Sequence, residues 1–258
     1  MDAQGIIDTF ALALGTAIQK TRVPKTRFLE LPSVNAQKRK LLSDEVDNVT
    51  LLAVFNEDTT HIPPLKNKEV VYEEIYFFHV ALKKDTHFAE LNQLLQSHIT
   101  NPAVIFFTFD SAVAISVAPK RLHKQEAGKT VSDSVFITPW LDITNVRDYN
   151  FLEDGKVTSC SFTHLERFYQ DFTNYVRHAE MLRFQETLTI DRRRDWSVLE
   201  PLLKQLRATN NEICRLSEEE RKQAGFGDKL SLRSKQVKLE KDRSQTTENI
   251  KNILEKKG

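Results

Sequence analysis

The sequence predicts an α/β or α+β domain, in which a mixed sheet is flanked by helices, followed by a C-terminal coiled-coil hairpin of long helices. Apolar runs of strand length alternate with segments whose apolar residues recur at helical spacing. The run over residues 70–82 is apolar on both faces, which is typical of a central strand. From residue 196 onward, apolar residues alternate three and four positions apart between charged flanks. We therefore expect a globular domain over residues 1–190 and a helical hairpin over residues 191–258.

Composition sets limits on the class of protein. The 258 residues are 40% hydrophobic and 28% charged, enough to bury a sizeable core. Cys160 and Cys214 lack the spacing of a disulfide framework or a zinc site, so we expect a reducing, cytoplasmic environment and no metal. The sequence contains no glycine-rich phosphate loop, and we expect no cofactor. The apolar stretch over 5–18 is too short to span a bilayer, so we expect no contact with a membrane.

The first half of the chain begins with helix-like and strand-like segments. The stretch over 5–18 predicts an amphipathic first helix, which ends before the break at Val23-Pro24-Lys25. A second helix is expected over 35–47. The β-branched run over 49–55 predicts a strand, and the central strand over 70–82 follows a proline-containing loop.

The middle of the chain predicts a helix and a hairpin. Asp85 or Thr86 can cap a helix whose apolar stripe covers the sheet. Apolar runs over 103–109 and 113–117 surround a short polar connection, which indicates an antiparallel hairpin. A further strand is expected over 135–140.

The C-terminal third predicts three helices. Thr163 with Glu166, and Ser197 with Glu200, have the spacing of capping boxes that open helices. The glycines around Gly225 break the last long segment in two, which predicts an antiparallel helical hairpin. We expect its apolar seam to dock on a partner helix or on a second copy of the chain. The predicted partner-binding residues are Leu199, Leu202, Leu206, Ile213, Leu216, Leu232, Leu239, Ile250 and Ile253.

Charge is uneven along the chain although its net value is +1. Residues 1–40 and 161–258 carry an excess of Lys and Arg, whereas residues 41–160 carry an excess of Asp and Glu. Clustered positive charge favours binding to nucleic-acid phosphates. Short basic clusters of this kind are also common as ordinary solvated charge. The candidate nucleic-acid contacts are Lys20, Arg22, Lys25, Arg27, Arg192, Arg193 and Arg194.

Catalytic candidates are weak. Nucleases of the restriction-endonuclease type hold their metal with an acidic residue and a lysine one residue apart on a central strand. Glu74 and Lys83 lie at the two ends of such a strand here, but Ala81 stands where that acidic residue would precede Lys83. His79 fits a core histidine better than a base, and Cys160 fits a buried small residue better than a nucleophile. We therefore predict no catalytic residue.

The order of several motifs resembles a known family. They include Val23-Pro24-Lys25, the strand from Glu74 to Lys83, the strand from Val104 to Phe109, Thr138-Pro139-Trp140 and a charged helical tail. Together they resemble the bacterial DUF4391 family, a domain of unknown function. The resemblance implies a small cytosolic protein without an assigned activity, of a kind encoded beside helicases and DNA methyltransferases in systems resembling restriction or phage defence.

These observations favour a noncatalytic accessory or adaptor subunit of a helicase- or DNA-methyltransferase-associated complex, which docks through its C-terminal helices. The alternative is a DNA-binding protein or a degenerate metal-dependent nuclease subunit. Both hypotheses are compatible, because an accessory subunit can also contact DNA.

Overall fold

The computed structural model of the protein describes residues 1–29, 35–123, 126, 130–184, 190–192, 195–223 and 225–255. The strands are β1 (Ile18–Arg22), β2 (Val46–Phe55), β3 (Leu65–Lys66), β4 (Val71–Tyr72), β5 (Ile75–Leu82), β6 (Ala103–Phe109), β7 (Ala112–Val117), β8 (Arg121–Leu122), β9 (Thr130–Val131), β10 (Phe136–Ile137) and β11 (Leu141–Asp142). Within the described ranges, a mixed sheet is formed in the spatial order β1-β2-β5-β6-β7-β10, and β11 also pairs with β7. Neighbouring strands of this sheet are antiparallel except β5 and β6, which are parallel.

Helices lie on both faces of this sheet. They are α1 (Ala3–Thr9), α2 (Thr26–Leu29), α3 (Ala36–Glu45), α4 (Glu57–Thr60), α5 (Phe88–His98), α6 (Val146–Glu153) and α7 (Leu165–His178), with short 3-10 turns at Val157–Ser159 and Ala179–Arg183; the C-terminal helices are α8 (Leu199–Lys222) and α9 (Phe226–Glu255). α3 and α5 cover one face, where Val80, Leu91 and Phe107 are buried in one apolar cluster. α1 and α7 cover the other, where the rings of Phe10 and Phe172 pack around Phe106.

The predicted fold class is confirmed, because a mixed sheet is flanked by helices and two long C-terminal helices pack together. The central position of β5 is also confirmed, since it lies between β2 and β6. The hairpin of β6 and β7 is confirmed as well, and its turn places Asp110 at a φ of 49°.

The prediction for the N-terminus is wrong in part. The first helix covers only Ala3–Thr9, and the chain then forms β1 at Ile18–Arg22. β1 is an edge strand whose residues after Ile18 are exposed, so it lacks the alternation of apolar and polar residues that indicates a strand. Gly15, in the turn before β1, has a φ of 51°. A Cβ atom added to it would lie 2.2 Å from the Thr59 carbonyl oxygen, so the turn has no room for a side chain there.

Three predicted helix caps are also wrong. α5 is capped neither by Asp85 nor by Thr86, because its N-cap residue is His87. α7 begins after His164, whose ring Nδ1 accepts a hydrogen bond from the Arg167 amide, and not after Thr163. The N-cap residue of α8 is Val198, which has no capping side chain. In each case the observed N-cap residue lies within two positions of the predicted one.

The chain divides into two compact units, one formed by Met1–Met181 and Thr187–Arg193, the other by Leu182–Glu186 and Arg194–Gly258. The sheet lies in the first unit, and α8 and α9 form the second. In the part of the chain that the structure describes, no helix is long and apolar enough to cross a membrane.

Candidate functional site

The helical seam predicted from the sequence lies inside the hairpin of α8 and α9. Leu199, Leu206, Leu216 and Ile250 are buried. Half-buried residues continue the same heptad spacing, and they are Leu202, Ile213, Leu232, Leu239 and Ile253. The seam therefore joins the two helices, and its role in binding a partner stays a prediction.

Sequence reasoning missed some of the hairpin packing. Leu203 is buried more deeply than its neighbour Leu202, so the phase of the seam differs by one residue near the start of α8. On α9, Thr246 and Leu254 are buried too. A polar contact crosses the hairpin nearer its turn, where the Gln236 Nε2 atom donates to a Glu220 carboxylate oxygen at 3.2 Å. The heptad spacing could have placed Thr246, since it lies at a seam position between Leu239 and Ile250.

The outer face of α9 carries exposed apolar side chains. Leu230 and Val237 are 60% and 61% exposed. They are seven residues apart, which places them on one face of the helix. Arg233, Glu240 and Lys241 are exposed within one turn of Val237 on the same side of the helix. This outer face combines apolar surface with two cations and one carboxylate, and it stays accessible when the seam is closed.

The predicted basic residues near the N-terminus lie on and beside edge strand β1. Lys20 and Arg22 belong to β1 and are exposed, and Arg27 lies on the short helix α2. Lys20, at a φ of 48°, donates from its Nζ atom to the Gln4 side chain. Lys25, between β1 and α2, is half-buried. The structure thus groups these cations at one edge of the sheet.

Lys83 joins this group from a distant part of the sequence. The Lys25 Nζ atom donates to the Val46 carbonyl oxygen at 2.5 Å, and the Lys83 Nζ atom donates to the Ser43 carbonyl oxygen at 3.4 Å. Partial burial lowers the pKa of Lys25, and the positive charges of Lys83 and Arg22 lower it further. Both ammonium groups therefore lie at the junction of α3 and β2, close enough to repel each other.

Arg192 occupies a different environment from the β1 cations. Its guanidinium donates to the Asp154 carbonyl oxygen at 2.7 Å and lies over the ring of Tyr175, 5.1 Å from its centroid. It also contacts the Cys160 sulfur at 3.2 Å. These contacts tie Arg192 to its own unit, whereas the predicted Arg193 and Arg194 lie outside the described residues.

A cavity of about 370 Å³ opens between α3 and α5. The buried Glu45 carboxylate accepts hydrogen bonds from the His87 backbone N–H at 3.1 and 3.2 Å and approaches the His87 Nδ1 atom at 2.6 Å. Glu45 thereby caps α5 from another helix, since carboxylates stabilise helix N-termini. The cavity mixes both signs of charge, and its lining is Gln37, Lys40, Leu41, Asp44, Glu45, Lys84, Thr86, His87 and Glu90.

Comparison with known proteins adds one decisive observation. The model of the family described as Domain of unknown function (DUF4391) matches residues 12–242. The chain belongs to this family. No curated protein and no solved structure matches it.

In this DUF4391 protein, Glu74 and Ala81 lie near opposite ends of β5. Ala81 pairs with Asn48 of β2, so a methyl group stands where an acidic metal ligand would be needed. Glu74, which directly precedes β5, accepts hydrogen bonds from the Tyr76 hydroxyl at 2.5 Å and from the Asn101 side-chain amide at 3.3 Å. In the part of the chain that is described, no three His, Cys, Asp or Glu side chains are grouped in a way that could hold a metal ion.

His79 and Cys160 of the DUF4391 chain are both buried. His79 is 7% exposed, and its Nε2 atom lies 2.7 Å from the Thr108 hydroxyl. Burial lowers the pKa of His79 to about 4, so the ring is neutral at physiological pH. Burial raises the pKa of the Cys160 thiol to about 12, which leaves it protonated and a poor nucleophile.

Proposed function

We propose that this DUF4391 protein is a noncatalytic accessory or adaptor subunit of a bacterial helicase- or DNA-methyltransferase-associated complex of the restriction or phage-defence kind. It docks through its C-terminal helices. The observation that carries the proposal is the outer face of α9, where Leu230 and Val237 are exposed on one side of a long helix.

The chemistry of that face indicates the kind of partner surface it fits. Burying a leucine or valine side chain contributes roughly 1.5–3 kcal/mol, so Leu230 and Val237 can serve as anchors of a helix-in-groove contact. Two cations, Arg233 and Lys241, and one carboxylate, Glu240, lie beside Val237. The excess of positive charge favours a partner whose apolar groove is bordered mainly by Asp and Glu.

The hairpin seam limits how docking can occur. Because Leu206 and Ile250 are already buried, a partner that used the seam would have to separate α8 from α9. The outer face requires no such opening. A second copy of the chain could also exchange helices at the seam. Self-association therefore stays a prediction, and a measurement of the oligomeric state in solution tests it.

A tagged full-length protein in its native host tests the adaptor proposal. We expect a helicase or a DNA methyltransferase to co-purify with it and to be lost in a Leu230→Glu/Val237→Glu variant, because the substitutions place carboxylates against an acidic rim. Val146→Glu is the matched control, since Val146 of α6 is 75% exposed on the other unit. Loss of the complex in the control, or its retention in the double variant, contradicts docking through this face.

A second candidate function is DNA binding, with or without degenerate nuclease activity. It is favoured by the grouping of Arg22, Lys25 and Lys83 near the junction of α3 and β2. The nuclease version requires metal-dependent cleavage that disappears in Glu74→Ala, because Glu74 is the acidic residue before β5. If the protein binds DNA but does not cleave it, the nuclease hypothesis fails and the DNA-binding hypothesis stands.

A further inference from the structure

We propose that Lys25 and Lys83, assisted by Arg22, form a site for a phosphodiester group of a nucleic-acid backbone at the junction of α3 and β2. This inference is independent of docking through α9. Lys83 was not among the basic residues that the sequence grouped with Lys25, because 58 positions separate them and only the strand pairing brings them together.

Main-chain hydrogen bonds fix both lysines to the same part of the fold. The Val23 amide donates to the Val49 carbonyl oxygen at 2.8 Å, which holds the segment before Lys25 against β2. The Lys83 amide donates to the Glu45 carbonyl oxygen at 2.7 Å, which holds Lys83 at the start of β2. The backbone therefore sets the approach of the two ammonium groups.

Donor capacity remains after these contacts are made. Each ammonium has three N–H groups, and each of the two makes one hydrogen bond to a carbonyl oxygen at the end of α3 or just beyond it. Carbonyls at a helix C-terminus attract cations, which explains why two positive charges tolerate each other here. The remaining N–H groups suit an anion with several oxygens, and a phosphate relieves the repulsion.

The carboxylate of Asp47 lies close to Lys25 and provides a second way to test the site. Asp47 partly offsets the lowering of the Lys25 pKa, so its carboxylate is near enough to attract that ammonium. A bound phosphate would be repelled by Asp47. Removing this charge while keeping the side-chain shape should therefore strengthen phosphate binding, whereas removing a lysine should weaken it.

The experiment measures binding of the full-length protein to a fluorescein-labelled 20-nucleotide strand and its duplex over a range of salt concentrations. A Lys25→Gln/Lys83→Gln variant should lose about ten-fold in affinity at low salt, and its salt slope should fall by roughly 1.5–2. Lys66→Gln/Lys156→Gln is the matched control, because it removes the same amount of positive charge elsewhere on the surface. Each of these two lysines forms an ion pair with a glutamate. Asp47→Asn should tighten binding two- to five-fold.

Further variants separate charge from folding and from docking. Lys25→Arg/Lys83→Arg keeps both charges and should keep the affinity, whereas loss in the arginine variant overturns the site. Equal loss in the Lys66/Lys156 control, an unchanged salt slope in the glutamine variant, or weaker binding by Asp47→Asn also overturns it. Equal competition by polyglutamate of matched charge would show general polyanion attraction and contradict a phosphate site. The Leu230→Glu/Val237→Glu variant should bind the oligonucleotides as tightly as the wild type. The phosphate site can therefore be tested even if the adaptor proposal fails.

Discussion

Replacing Lys120 with methionine should stabilise the sheet-containing unit near neutral pH. Lys120 is 5% exposed, and its Nζ atom donates to the Gln96 carbonyl oxygen at 2.6 Å. Burial lowers its pKa to about 8 from an ordinary value of 10.5. Methionine keeps much of the apolar stem and removes the charged group, so the desolvation cost disappears.

The magnitude follows from the pKa difference. At about 1.4 kcal/mol per pH unit, holding the ammonium charged at pH 7 costs about 3 kcal/mol. Losing the hydrogen bond to Gln96 costs about 1–2 kcal/mol, so Lys120→Met should gain about 1–2 kcal/mol at pH 7. Between pH 8 and 10.5 the unfolded chain binds the proton that folded Lys120 has released. Wild-type stability therefore rises with pH in this window, and the advantage of the variant should vanish by about pH 10.

Urea unfolding at pH 7, 8, 9 and 10 measures this effect. The fluorescence of Trp140, in a Trp196→Phe background, reports on the unit that carries Lys120. Comparing the variant with wild type at each pH cancels the titration of all other groups. A variant that is less stable at pH 7, or a stability difference that does not change with pH, would refute the reasoning.

The remaining predictions concern single buried or tightly packed positions. Because the pKa of His79 is lowered to about 4, the free energy of unfolding of the wild type should fall by up to about 3 kcal/mol between pH 6.5 and 4. His79→Gln should lose less stability over the same pH range, as measured by the midpoint of urea unfolding. Gly155→Ala should destabilise by about 1–3 kcal/mol in thermal unfolding, since its Cβ would lie 2.5 Å from an aromatic ring carbon; Gly227→Ala, with nothing within 4 Å, should be neutral or stabilising. In a Trp140→Phe background, where Trp196 is the fluorescent reporter, Ile250→Ala should cost about 2–4 kcal/mol in unfolding of the hairpin. Leu230→Ala should change this free energy little.

Sequence periodicity predicted the elements whose burial pattern is strong. β5 is apolar on both faces, and β6 and β7 are continuous apolar runs around a short turn, so all three were recognised. β1 was missed because an exposed edge strand has no apolar face to produce a signal. The seam of the long helices was found from its heptad spacing, although Leu203 showed that its phase is off by one residue at the start of α8.

The candidate sites were harder to predict because they depend on distant pairings. Lys25 was identified from its local cluster, but Lys83 comes to it only through the pairing of β5 with β2. Arg192 was grouped with Arg193 and Arg194 from sequence, yet its guanidinium is bound to backbone carbonyls of its own unit. Local composition cannot distinguish a cation that faces solvent from one that closes a loop.

The cap that Glu45 provides for α5 has a consequence for the order of folding. The two residues are 42 positions apart, and α5 has no capping side chain at its own N-cap residue. Its first turn therefore cannot be completed by neighbouring residues alone, and it becomes fixed only after β2 and β5 have aligned. An isolated peptide covering α5 should start its helix at variable positions, and in the whole chain the beginning of α5 should acquire hydrogen-exchange protection later than its centre.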